Sequence, residues 1–384
     1  MRIGVLGGSF NPVHQGHIYI AQAAKERFSL DAMLLMVASV PPHKQLAGAV
    51  SGQARWDMAS LAAGPAGLIA SDLELNRAGQ SYTVDTVAAL QAQYPAAEIY
   101  WLIGADMLPS LDVWHDPARL LRITKFIVAG RPTYGDLPAC AQRWREAYGA
   151  DITLADIEGP DISSTELRNR LYAGKPIEGM TPESVIRYIY ENALYVPAGI
   201  SALQLRLQGA LGEARYAHTM GVVRCAATLA DSFGVDAEQA RLAALLHDCA
   251  KLPQGGTQAL AARYGLRMEG LDAPIRHAPV GAAHARAAYG VEDEAVLQAV
   301  ARHTVCAAGM TALDKVIYLA DKMEPGRDYV GVEDIRRAAQ NGLDAGMLAC
   351  LAHTKAHLDK KGKPMHPATM QAWEEIQKNI KQRG

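Results

Sequence analysis

The stretch Arg2–Ile18, "RIGVLGGSFNPVHQGHI", decides how the first half of this 384-residue chain is read. An apolar run ends in two glycines, a turn containing Pro12 follows, and His14 and His17 stand three residues apart where the helical pattern "HIYIAQAAKERF" begins. A glycine-rich turn between a strand and a helix lets backbone N–H groups approach an anion, and the N-terminus of the next helix favours negative charge. Gly7, Gly8, Ser9 and Phe10 suit such a cradle. From the start of the helix, His14 and His17 can both turn back over it and donate hydrogen bonds to phosphate oxygens as charge builds during phosphoryl or nucleotidyl transfer. The plainer alternative is that one histidine caps the helix and the other packs.

Working outward, "AMLLMVASV", "EIYWLIGAD" and "KFIVAGRP" repeat the strand pattern with helical segments between them. Such alternation predicts an α/β fold, a parallel sheet with crossover helices and ligands at the carboxyl ends of its strands. A closing helix is expected over "TPESVIRYIYENALYV", with Thr181 as N-cap and Pro182 at its first position. Beyond Ser201 the β-rich runs cease and alanine-rich helical periodicity takes over, so an all-α second half is predicted. The composition shift and the break "VPAGIS" put the boundary near 196–202, with domains over 1–196 and 201–384. The tail "KKGKPMHPATMQAWEEIQKNIKQR" mixes charges at helical spacing and predicts a solvated terminal helix.

About half of the residues are apolar, enough for two full cores. The 38 basic and 40 acidic residues leave a net charge of −2, so no broad attraction to nucleic acid or to an anionic membrane is built in. Small charged substrates remain possible, and a homo-oligomer is compatible with the sequence. Five scattered cysteines without CxxC spacing read as reduced thiols. No apolar run reaches the roughly 18 residues a membrane span needs, and a cytoplasmic location is expected.

The string "GGSFNPVHQGHI" resembles the (G)SFxPxHxGH signature of the nucleotidylyltransferase superfamily, and in its fuller form the bacterial nicotinate-nucleotide adenylyltransferase family. The resemblance implies a Rossmann-like domain in which His14 and His17 meet phosphate and Lys44 of "PPHK" lies near it. It implies that Thr83 and Asp85 of "SYTVDT" contact the nicotinate nucleotide. Gly104, Asp106 and Trp114 of "LIGADMLPSLDVW" would flank the substrate, where an indole can stack on a pyridine ring. Arg131 of "GRP" would pair with a carboxylate or phosphate. In "DISSTELRNRL", Ser163 with Glu166 reads as a capping box. The same segment resembles the family's ISSTxxR motif, which implies that Ser163, Ser164, Thr165 and Arg168 hold the phosphates of ATP. ATP, brought with Mg2+, and nicotinate mononucleotide are the substrates so implied. The residues alone leave nicotinamide mononucleotide, phosphopantetheine or an alcohol phosphate open as acceptors.

In the second half, "LLHDCAK" sets His247 and Asp248 in an otherwise apolar helix. A buried charge there is costly unless paired or bound to a metal. Candidate partners stand on separate helical segments: His218, His277, His303 and Asp321. The order H…HD…H…H…D resembles the HD-domain metal phosphohydrolases, and the flanking "RYAHTMGV", "HAPVGA" and "ADKMEPGRD" resemble the subgroup that hydrolyses diadenosine tetraphosphate symmetrically. The resemblance implies a two-metal site, of iron or of manganese or a similar divalent ion, held by His218, His247, Asp248, His277, His303 and Asp321. Lys251 would steady phosphates, and Glu324, Arg327 and Asp328 would line the entrance. His284, seven residues after His277 and so on the same helix face, is a candidate substitute ligand outside the subgroup's pattern, while His353, His357 and His366 are expected in solvent. Deoxynucleotides, guanosine polyphosphates or a cyclic dinucleotide stay open as substrates, as does a metal-bound sensing module without turnover.

Overall fold

The computed structural model describes residues 1–39, 50–77, 79–130, 136–253, 256–269 and 271–383. Its internal contacts divide the chain into two compact units, Met1–Asn169 with Ile177–Ile189, and Arg170–Pro176 with Tyr190–Gly384.

In the first unit the strands are β1 (Arg2–Gly8), β2 (Ala32–Val37), β3 (Ile69–Ser71), β4 (Glu98–Gly104), β5 (Lys125–Ala129) and β6 (Asp151–Ala155). They alternate with α1 (Gln15–Arg27), α2 (Gly52–Ala63), α3 (Thr83–Gln93), α4 (Pro117–Ile123), α5 (Leu137–Tyr148), α6 (Ser164–Tyr172) and α7 (Glu183–Glu191). The sheet order is β3-β2-β1-β4-β5-β6 and every pairing is parallel. The central strands are apolar along their length because helices cover both faces: Ile3 and Val5 of β1, Leu35 and Met36 of β2, and Ile99 to Ile103 of β4 are all buried. Strand order reverses between β1 and β4, which opens a crevice at their carboxyl ends, where α/β sheets bind ligands. The chain from β1 into α1 and the 3₁₀ segment Ala105–Val113 after β4 border that crevice. The closing helix starts at Glu183, two residues after Thr181, whose hydroxyl donates to the Val13 carbonyl instead.

The second unit is helical throughout: α8 (Ala198–Ala210), α9 (Glu213–Phe233), α10 (Ala237–Leu246), α11 (Gly256–Arg263), α12 (His277–Tyr289), α13 (Glu294–Arg302), α14 (Ala312–Met323), α15 (Val332–Gln340), α16 (Leu343–Lys360) and α17 (Pro367–Arg383). Small buried residues such as Ala226, Ala230, Ala243 and Ala244 let α9 and α10 approach closely, and Val296, Val300, Val316 and Ile317 complete the core. The terminal helix corrects one expectation. α17 is not simply solvated, because Ala372 and Ile376, four apart on one face, enter the core and Trp373 packs against it. All five cysteines are free thiols, four of them buried. Among the described residues no helix is long and apolar enough to cross a membrane.

Candidate active sites

The first site forms where β1 hands over to α1. The chain leaves Gly8 through a turn in which Phe10 adopts a φ of 45°, and His14 caps α1. The two imidazoles stack, ring centroids 3.6 Å apart, and Phe10 meets His17 edge-on at 5.0 Å. The His14 amide donates to His17 Nδ1 at 3.3 Å, so the proton of a neutral His17 ring sits on Nε2, which becomes a donor. Burial depresses both imidazoles, His14 to about 4 and His17 to about 3, the latter pushed further by His14. Both rings are therefore neutral donors at pH 7. The glycine between them has a steric reason. A Cβ on Gly16 would lie 3.0 Å from His14 Nδ1 and 3.3 Å from the Pro160 carbonyl, too close for the ring to hold its place. Across the crevice, Asp106 folds back over Gly104, where a Cβ would meet its carboxylate at 2.4 Å.

The second site lies in the helical unit. Six side chains from α9, α12, α14 and the carboxyl ends of α10 and α13 converge, and their donor atoms form two groups, His218–His247–Asp321 and Asp248–His277–His303. Asp248, wholly buried, stands between them: Oδ2 lies 3.5 Å from His247 Nε2 and Oδ1 3.2 Å from His277 Nε2. The histidines are oriented from behind. His247 Nδ1 donates to the Ala244 carbonyl and His303 Nδ1 to the Val300 carbonyl, each at 2.7 Å, and His218 Nδ1 sits 3.1 Å from Glu324. Each bond leaves an Nε2 lone pair aimed inward, the arrangement that prepares imidazole for a metal. His277 and His303 bring their Nε2 atoms within 3.0 Å, and Asp248 Oδ1 is buried without a hydrogen bond of acceptable geometry. A divalent cation would satisfy both features, so this donor set fits one.

Charges around the cluster balance the carboxylates. Arg215 reaches Asp248 Oδ2 at 2.8 Å and Lys251 reaches Oδ1 at 2.9 Å, while Arg327 and Lys322 each sit 2.7 Å from Asp321. Burial alone would raise both aspartates, but the surrounding imidazoles and ammonium groups override it and hold them far below the usual carboxylate range. His218 is raised for the complementary reason: burial lowers it, and the bonds from Asp321 and Glu324 outweigh the burial.

Residues 5–170 match the model of the cytidylyltransferase-like family and residues 215–326 that of the HD domain. A Gloeobacter violaceus protein named "Probable nicotinate-nucleotide adenylyltransferase" is 44% identical over 203 residues, which cover 52% of this chain and 98% of that one. The chain belongs to the nicotinate-nucleotide adenylyltransferase family. A second member of that family, from Syntrophotalea carbinolica and named in the same words, is 38% identical over 213 residues, 51% of this chain and 97% of its own. A crystal structure from Clostridium acetobutylicum, described as a "predicted HD superfamily hydrolase involved in NAD metabolism", is 34% identical with a TM-score of 0.43, covering 46% of this chain and 96% of that one.

Within this nicotinate-nucleotide adenylyltransferase family fold, the described residues picked out from sequence fall at four places. Gly7, Gly8, Ser9, Phe10, His14 and His17 gather at the end of β1, and Gly104, Asp106 and Trp114 at the end of β4. Thr83 and Asp85 occupy the first turn of α3, half-buried, below Tyr82, whose ring stacks on His115 at 4.0 Å. Ser163 caps the first turn of α6 through the Glu166 amide, whereas Ser164 donates to the Pro12 carbonyl at 2.8 Å and Arg168 to the Asn11 carbonyl at 2.7 Å. Their side chains grip the turn before the histidines, and Thr165 bonds Arg168. Lys44 and Arg131 lie outside the described residues.

All six expected metal ligands converge. His284 does not join them, because its Nδ1 is engaged with the Tyr264 hydroxyl at 2.8 Å. Glu324 lies behind His218 rather than at an entrance, and Asp328 alone of its trio is exposed. His353 is half-buried against Tyr329, and His366 is half-buried with its Nδ1 accepting from the Ala368 amide, so of the three tail histidines only His357 is exposed. Sequence reasoning missed Arg55, Arg215 and the purpose of Gly221. A Cβ on Gly221 would meet Glu324 Oε2 at 2.4 Å, and its position three residues after His218 is the one signal that pointed there.

Proposed function

We propose that the chain is a bifunctional enzyme, a nicotinate-nucleotide adenylyltransferase followed by a metal-dependent hydrolase that splits diadenosine tetraphosphate into two ADP. The adenylyl-transfer reading is carried by the stacked, neutral His14–His17 pair over the turn at the strand-order reversal. A phosphate oxygen of nicotinate mononucleotide attacks the α-phosphorus of ATP. The new O–P bond forms as the bond to the β-phosphate breaks, giving nicotinate adenine dinucleotide and pyrophosphate. No nucleophilic side chain is needed, since the protein orients the two phosphates and neutralises them. His17, through Nε2–H, and His14 would donate to oxygens on the reacting phosphorus, Lys44 and Arg131 would meet phosphate or carboxylate, and Trp114 would face the pyridine ring. Mg2+ would arrive with ATP.

The hydrolase reading is carried by the six donors that converge on Asp248. Two divalent ions, with iron proposed and manganese as the alternative, would supply charge neutralisation and an activated water. His218, His247 and Asp321 would hold one and His277 and His303 the other, with Asp248 shared. Lys251, which burial makes less basic, would steady the polyphosphate. Both readings suit a cytoplasmic enzyme.

The test is chromatography of products from anaerobically purified, metal-analysed full-length protein. With ATP and nicotinate mononucleotide we expect the dinucleotide and pyrophosphate; with diadenosine tetraphosphate we expect two ADP. No turnover of the latter despite bound metal would move the hydrolase to another nucleotide or to a sensing role.

A further inference from the structure

We infer that Arg55 is a positioning residue for adenylyl transfer, the anchor of a set of side chains that keep the carbonyls of Ser9, Asn11, Pro12 and Val13 turned away from the phosphate cradle. The inference rests on the adenylyl-transfer reading above. Arg55 lies on α2, far in sequence from the cradle, and is only 1% exposed. Its guanidinium donates to the carbonyls of Ser9 at 2.8 Å, Ala38 at 2.7 Å and Ser39 at 3.0 Å. It thereby joins the chain leaving β1 to the chain leaving β2, two strands that already meet where the Ala38 amide donates to the Gly8 carbonyl at 2.9 Å.

Three further carbonyls of the same turn are held in the same manner. Asn11 accepts from Arg168 at 2.7 Å, Pro12 from Ser164 at 2.8 Å and Val13 from Thr181 at 2.8 Å. Only Phe10, between them, lacks such a bond among those described, and its φ of 45° is a conformation a bulky residue keeps only where its surroundings over-determine it. The Ser9 carbonyl bond restrains the peptide immediately before it.

The physical consequence follows from the planar peptide. In a trans unit the C=O and the next N–H point in opposite directions. Turning the Ser9 carbonyl toward Arg55 therefore directs the Phe10 N–H the other way. Turning the Val13 carbonyl toward Thr181 does the same for the His14 N–H, which is the group that bonds His17 Nδ1. An anion is drawn to N–H dipoles and repelled by carbonyl oxygens, so a cradle whose carbonyls swing freely loses its preference for phosphate.

The test is Arg55→Lys in the full chain, since a lysine reaches fewer of the three carbonyls while keeping the charge. Appearance of nicotinate adenine dinucleotide is followed at varied ATP. We expect kcat/KM for ATP to fall roughly tenfold to a hundredfold, mostly through KM, while the metal content of the second unit changes little. Thr181→Val, nearly isosteric, should shift KM for ATP in the same direction by a smaller factor, and Thr181→Ser should restore it. A folded Arg55→Lys protein with KM for ATP within twofold of wild type overturns the inference. If Arg55→Lys does not fold, an unchanged KM in Thr181→Val does so. Absence of transfer by the wild-type chain would instead overturn the reading on which the inference rests.

Discussion

Histidines dominate both sites, and the two clusters are built in opposite ways. In the first unit His14 and His17 lie face to face, with no carboxylate paired to either among the described residues, and burial drives both toward the neutral form. In the second, each of His218, His247 and His303 has its Nδ1 tied from behind, and the Nε2 atoms surround Asp248 and Asp321. The imidazole itself is the same; in the roles proposed above, its neighbours decide whether it offers a proton to phosphate or a lone pair to a metal. Carboxylates at 3–4 Å create a place for a cation, and backbone amides at a strand end create a place for an anion.

The strongest way to break this contrast is a crossed pair of variants. His17→Ala should lower adenylyl transfer by about a thousandfold while metal content and hydrolysis stay as in wild type. Asp248→Asn should do the reverse, losing bound metal and hydrolysis with transfer intact. Product chromatography and metal analysis on both proteins decide the matter, and a loss of metal in His17→Ala would show that the two clusters had been assigned the wrong chemistry.

A smaller effect sharpens the role of the groups behind the ligands. Glu324→Gln keeps the shape but weakens the hold on His218 Nδ1, and metal affinity should fall by roughly tenfold to a hundredfold, read as metal retained after dialysis against graded chelator. Retention equal to wild type would make Glu324 a bystander.

The smallest effect concerns acid. His14 and His17 titrate near 6.5 when unfolded but at about 4 and about 3 when folded. Between those values the unfolded chain binds more protons, so stability of the first unit must fall as pH drops below about 6.5, by about 1.4 kcal/mol per pH unit for each ring. His17→Asn should remove one ring's share of that slope, measured as the urea midpoint of the first unit from pH 7 to 5. A slope unchanged by the substitution would mean that His17 titrates normally in the folded protein.

Much of this was legible in the sequence because the signals are local. The strand–turn–helix around Gly7–His17, the switch to alanine-rich helices after Ser201, and the HD doublet each follow from periodicity and residue type within a short window. The six proposed ligand positions were legible as a set through the resemblance of their order, although only the packing of five helix ends and faces brings them within reach of one another. The terminal helix was misjudged because its mixed charges concealed the two-residue apolar contact of Ala372 and Ile376, which has meaning only once a core exists to receive it.

By itself, the sequence picked out the residues proposed to carry the chemistry and divided them between the two halves of the chain, since the strand–turn–helix histidines and the HD doublet are local patterns. The tertiary structure alone decided what orients them. Arg55 sits in a helix whose sequence shows no segregated apolar face, Thr181 reads as a helix cap, and Gly221 reads as one small residue among many. Their roles arise from hydrogen bonds and close approaches between segments 46, 168 and 103 residues apart, and no periodicity in a linear chain encodes a contact made across a fold.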